Sequence, residues 1–178
     1  MKKYLLIIAI IFAVVFVSGC IDGNSDGTNS TEIQTISKNG VILKYPSNWV
    51  ISESTSNSSL ISVAAANSID SSKIGQVNVN VEKQPISESL STFVNKTTAS
   101  LEKDSSYEMI SSGQTTMAGY DAIEVVYKSD SNGTMKMHKA VWIEKDGEAI
   151  VVLCSAPEDK FDSNLKIFDY IIANIQFR

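Results

Sequence analysis

One histidine, two cysteines and three prolines are all that this 178-residue chain contains of the residue types that most often carry chemistry or break structure. The histidine, His138, has no second His, no Cys-x-x-Cys and no Asp-x-Asp-x-Asp-Gly spacing to join it in a metal site. It therefore reads as a cross-strand or surface residue, and its Lys-Met-His-Lys neighbourhood as a solvated face. No strand-to-helix Gly-x-Ser-x-Gly elbow activates any of the many serines, and there is no Gly-rich phosphate loop. Catalytic residues, cofactors and metals are accordingly expected to be none, and the chain is read as a non-enzyme, with a cryptic hydrolase the least favoured alternative. No lysine or arginine cluster tracks phosphates in a chain of net charge −5, which argues against nucleic acid as a partner. Acidic side chains crowd Glu158, Asp159 and Asp162, where the positive end of a helix dipole explains them without acid–base work.

What is present begins at the N-terminus. Lys2 and Lys3 precede an uncharged, almost wholly apolar run from Tyr4 to Val17, the layout of an export signal and short of the roughly 20 apolar residues a membrane span needs. Val17-Ser18-Gly19-Cys20 resembles a prokaryotic lipobox, in which small residues admit a peptidase and the thiol accepts a lipid. Residues 1–19 are thus expected to be a lipoprotein signal peptide and Cys20 the lipid attachment site. Two chains at about 0.8 kcal/mol per buried methylene would hold the mature protein to the membrane's extracytoplasmic side. The competing reading is a retained N-terminal helix with an incidental cysteine. Residues 20–31, rich in Gly, Ser, Asn, Thr and Asp, read as a flexible tether. Cys154, the thiol left after lipidation, sits in Ile150-Val151-Val152-Leu153-Cys154 and reads as buried and inert.

Residues 32–178 have the composition of one globular domain. Val41 to Tyr45 reads as a strand halted at Pro46-Ser47-Asn48, with Trp49 restarting order, and Leu60 to Ala66 as a second strand. Gln76 to Glu82 alternates, with Val77, Val79 and Val81 on one face and Asn78, Asn80 and Glu82 on the other, predicting a half-buried strand. After Pro85 the period becomes helical, and a helix is expected from Ser87, as N-cap, to about Lys103. Four short-linked strands then predict a meander, joined at Ala118-Gly119, at 130–133 and at 145–147. Ser155 and Glu158 suggest a capping box opening a last helix whose stripe runs Phe161, Leu165, Phe168, Ile171, Ile172 and Ile175. The fold class expected is α+β, an antiparallel sheet flanked by helices in a layered sandwich, with 150–154 a central strand apolar on both faces.

Three stretches together, residues 39–49 (Asn-Gly-Val-Ile-Leu-Lys-Tyr-Pro-Ser-Asn-Trp), residues 117–127 (Met-Ala-Gly-Tyr-Asp-Ala-Ile-Glu-Val-Val-Tyr) and the final helix entered through Ser155-Ala156-Pro157, resemble the PsbP/Mog1-like proteins. That resemblance covers nearly all of the domain, and its motifs are packing and turn signals. It implies an antiparallel sheet between helices and a binding or assembly role, since the family includes a photosystem subunit, a Ran-binding protein and prokaryotic lipoproteins. No family site residue transfers to a position here.

Trp142 shares a strand face with Ala140 and His138, while Val141 and Ile143 point the other way, so a groove is expected near Trp142. Trp142, His138 and Trp49 are the candidate groove or partner contacts. Among the sequons, Asn57 and Asn132, in expected loops, are the better N-glycosylation acceptors. The function expected is a non-catalytic binding or assembly-accessory module, anchored through Cys20, for a membrane or envelope protein. The alternative is a small-ligand or lipid carrier using the groove beside Trp142.

Overall fold

Residues 32–131 and 133–178 are described by a computed structural model. The expected signal peptide, Cys20, the tether and Asn132 lie outside the described residues. The first hairpin pairs β1 (Ile33–Lys38) with β2 (Val41–Pro46), and a short β10 (Gln176–Phe177) adds to the other edge of β2. Strand β1 has no counterpart in the sequence reading, because its residues are mostly exposed and show no apolar alternation.

A seven-stranded antiparallel sheet forms the body of the fold. Its strands are β3 (Trp49–Ile51), β4 (Ser59–Ala65), β5 (Asn78–Pro85), β6 (Glu108–Met117), β7 (Tyr120–Ser131), β8 (Thr134–Lys145) and β9 (Glu148–Pro157), in the order β3-β4-β5-β9-β8-β7-β6. The meander β6 to β9 is as expected, and β9 takes the centre, which explains its uninterrupted apolar run. Two of its turns are two-residue connections with positive φ at both positions, Ala118-Gly119 and Asp146-Gly147, the geometry that matches strand twist.

Alternation sends two different sets of side chains to the two faces of this sheet. Val63, Val79, Val81, Val141, Ile143, Val152 and Cys154 face α2 (Glu158–Asn174) and β2, forming one core with Leu43, Phe168 and Ile171. Trp49 stands edge-on to Phe168 in that core, ring centroids 6.2 Å apart. Lys139 ties the layers together through Glu124 on β7 at 3.0 Å and Asp169 on α2 at 2.9 Å. The other face carries α1 (Leu90–Leu101), whose Phe93 packs edge-on to Trp142, centroids 5.6 Å apart.

Both helix starts differ from expectation. The α1 cap is Ser89, whose hydroxyl accepts from the Thr92 backbone N–H at 3.3 Å, so the helix begins two residues later than Ser87 would place it. No side chain caps α2: Pro157 occupies its N-cap, and Ser155 lies within β9 with its hydroxyl engaged elsewhere.

Candidate functional site

The face opposite the main core is apolar at one end and polar at the other. Cross-strand register sets Ser62 beside Asn80, Asn80 beside Leu153, Asn78 beside Ser155, and Ser155 beside His138. Lys136 follows two residues before His138 on the same face. The buried polar residues among those described are Ser62, Asn80, Lys136, His138 and Ser155, and all five line one open cavity of about 510 Å³. Polar groups are rarely buried by accident, because each loses its water and must find a partner. Their convergence on a cavity marks this as the candidate site.

The far wall is a pair of loops, residues 52–58 and 69–76. They meet in a short bridge between Glu53 and Ile74, and the Asp70 carboxylate shapes the second by accepting from the Ser72 and Ile74 backbone N–H groups at 2.8 and 3.0 Å. Gly75 lets that loop lie directly on β4, since a Cβ there would fall 2.1 Å from the Cβ of Ala64. Asn80 donates to Glu82 at 2.5 Å and to Ser54 at 3.0 Å, and Ser56 donates to Glu82 at 2.9 Å, so floor and wall form one network.

His138 is stacked on Tyr127, rings 4.7 Å apart, with Ser155 Oγ 2.8 Å from Nδ1 and Ser129 Oγ 3.0 Å from Nε2. Burial, with the positive charge of Lys136 adding to it, pushes the imidazole down to about 4. Burial likewise pushes Tyr127 up to about 12, with Tyr107 and Glu82 adding to the effect. The ring is therefore neutral at ordinary pH, donating to one serine and accepting from the other. Chemically this is a Ser–His contact without an orienting carboxylate and with a weak base, poor equipment for activating a nucleophile.

Lys136 is 8% exposed and makes no hydrogen bond or ion pair among the described residues. Burial lowers its pKa, against the nearby charge of Asp70, which raises it. Cys154 is wholly buried on the opposite face, where burial pushes its thiol up and out of reactivity. No group of three or more His, Cys, Asp or Glu side chains among the described residues is arranged to hold a metal ion.

The three residues singled out in the sequence separate in the structure. Trp142 is half-buried and lines a second cavity, of about 250 Å³, together with Val94 and Leu101 of α1 and Val125, Ala140 and Leu153 of the sheet. His138 lines the larger polar cleft instead. Trp49 is 1% exposed and belongs to the core on the other face, lining neither cavity. Asn57 is exposed in the turn before β4. The solvated face expected around Lys136 and His138 is instead buried, because the two loops cover it. Sequence reasoning passed over Lys136, Asn80, Ser62 and Ser155. The available signal was the polar half of the β5 alternation, which reads equally as a face toward water and as a cleft floor.

No protein-family model and no curated protein matches the chain. Solved structures do. Cyanobacterial PsbP from Synechocystis superposes with a TM-score of 0.59 at 16% identity, covering 88% of this chain and 98% of that one. The fold is PsbP/Mog1-like. A second PsbP-like neighbour is LpqN of Mycobacterium tuberculosis, a protein involved in cell envelope biogenesis, with a TM-score of 0.57 at 13% identity over 83% of this chain and 91% of that one. The PsbP-like core they share is the antiparallel sheet with its flanking helices.

Proposed function

We propose that the chain is a non-catalytic binding module, held by lipid on Cys20 at the extracytoplasmic face of a membrane, and that the polar cleft receives its ligand. In this reading residues 1–19 are removed as a signal peptide, 20–31 carry the lipid and tether the domain, and 32–178 form the binding domain. The observation that carries the proposal is the convergence of Ser62, Asn80, Lys136, His138 and Ser155 on one cavity of about 510 Å³, within the roughly 300–1,000 Å³ typical of ligand sites. The neutral, carboxylate-free His138 supports binding over catalysis. LpqN, which shares the fold, is involved in cell envelope biogenesis, and this supports an envelope setting. No helix among the described residues is long and apolar enough to cross a membrane.

A second mode of binding is favoured by β6. This edge strand is exposed along nearly its whole length and presents Met109 and Ile110 to solvent. A membrane or envelope protein can add a strand there by backbone hydrogen bonding.

Native mass spectrometry of the full chain, extracted from its own membranes in mild detergent, tests the cleft. A retained small molecule is expected, and it should be lost in Thr55→Trp, which fills the cleft mouth from the loop side without touching the core. Absence of any retained molecule from wild type, with no small-molecule response in its melting temperature, would count against the cleft as a ligand site and leave the β6 edge as the binding element.

A further inference from the structure

Two lysines of β8, Lys136 and the half-buried Lys139, are treated differently. Lys139 is clasped by Glu124 and Asp169 at 3.0 and 2.9 Å; burial works against its charge, but the two carboxylates outweigh it and hold its pKa above the ordinary value. Lys136, more completely covered, has no such clasp among the described residues. Its stem is buried, while its ammonium opens on the cleft with Asp70 as a nearby charge but with no carboxylate at ion-pairing distance among the described residues, so it is placed to take an anionic group. Its surroundings narrow which anion. Glu53, Asp70 and Glu82 also line the cleft. Glu82 already accepts from Ser56 and Asn80, and Asp70 from the loop backbone, whereas Glu53 makes no side-chain hydrogen bond among the described residues. Three carboxylates disfavour a polyanion, while a lining that holds both an ammonium outside any ion pair and an exposed carboxylate without a side-chain hydrogen bond among the described residues favours a ligand bearing both kinds of group.

We propose that the cleft binds a small, singly charged organic acid carrying hydroxyl or amino donors, its acid group seated on Lys136 and its donors received by Glu53 and the polar floor. This rests on the cleft being the ligand site and adds the class of ligand. The ammonium supplies the charge-assisted contact, and Ser155 and Thr134 lie in the same lining to take the remaining acid oxygen. Leu153 and Ile74 are the only aliphatic side chains in a lining otherwise made of polar and charged residues, which favours a polar guest over a fatty or aromatic one.

The test is calorimetric titration of the full chain in detergent micelles with D-gluconate, L-glutamate, citrate and D-glucose. Gluconate or glutamate is expected to bind, citrate more weakly. Lys136→Met and Lys136→Gln should each weaken the acid by about tenfold or more, and Lys136→Arg should restore much of it. Lys136→Gln keeps a polar side chain in the cleft, so the loss of charge is tested even if Lys136→Met misfolds. Equal binding of the acid to wild type and Lys136→Gln would overturn the proposal, as would binding of neither acid. If glucose binds and the acids gain nothing over it, the cleft remains a ligand site and the anion assignment alone falls.

Discussion

At the scale of single residues, the polar cleft makes stability depend on pH through His138. Between the ordinary imidazole value of about 6.5 and the folded value of about 4, the unfolded chain takes up a proton that the folded chain refuses. Stability is therefore flat with respect to this group above pH 6.5 and falls as pH drops toward 4, by on the order of 3 kcal/mol in the limit. Lys136, on the same strand, adds to the effect, while Tyr127, stacked against the ring from β7, stays neutral throughout. Melting curves from pH 7 to pH 4 should show a shallower decline for His138→Gln than for wild type; equal slopes would mean the ring is protonated freely. Gly75 has a steric role: Gly75→Ala should cost roughly 1–3 kcal/mol by overpacking against Ala64, and Ala64→Gly in the same chain should recover part of the loss in thermal unfolding. Ala118 works in the opposite direction. It holds φ +52, a conformation that disfavours a Cβ, so Ala118→Asn should stabilise by roughly 0.5–1 kcal/mol and raise the melting temperature.

At the scale of elements, the helices show how local signals compete. Ser87 and Ser89 both precede the same apolar stripe and both suit an N-cap, and the structure selects Ser89. Ser89→Ala should cost about 1 kcal/mol while Ser87→Ala changes little, a difference that chemical denaturation of the two variants measures directly. The mistaken capping box at α2 has a similar origin. Ser155 has the right spacing to Glu158, but β9 extends through Pro157 and its pleat turns the hydroxyl toward His138. A strand requirement overrode a helix signal. The stripe of α2 needed no such arbitration, since Phe161, Phe168 and Ile171 are all buried as the 3.6-residue period requires. Phe168→Ala, which removes the ring packed against both Trp49 and Phe161, should destabilise by about 3–5 kcal/mol.

At the scale of the whole molecule, the proposed anchor and the proposed cleft make separable predictions. Cys20→Ser behind a conventional export signal should shift the protein from the membrane fraction to the soluble one without changing its melting temperature or its affinity for a cleft ligand. Fractionation and calorimetry on the same preparations check both halves. Continued membrane association of Cys20→Ser would instead support the retained helix. A membrane protein that crosslinks to the anchored form alone, and is lost when a charge is placed at Met109 or Ile110, would identify β6 as the partner edge.

The sequence by itself determined most of the elements and their order, the short edge strands β1 and β10 excepted. Periods of two and 3.6, the Gly-containing hairpins and the long apolar run of β9 are local patterns, and local sterics suffice to read them. The same patterns placed His138, Ala140 and Trp142 on one face of β8. Only tertiary structure decided what that face looks onto. Alternation states that Asn78, Asn80 and Glu82 point away from the core; it does not say whether water or another segment lies beyond them. Residues 52–58 and 69–76, polar and without period, fold across one end of the face and turn it into a cleft, and α1 covers the other end. Burial of Lys136 is thus a consequence of contacts between segments 60 or more residues apart, which no local pattern encodes.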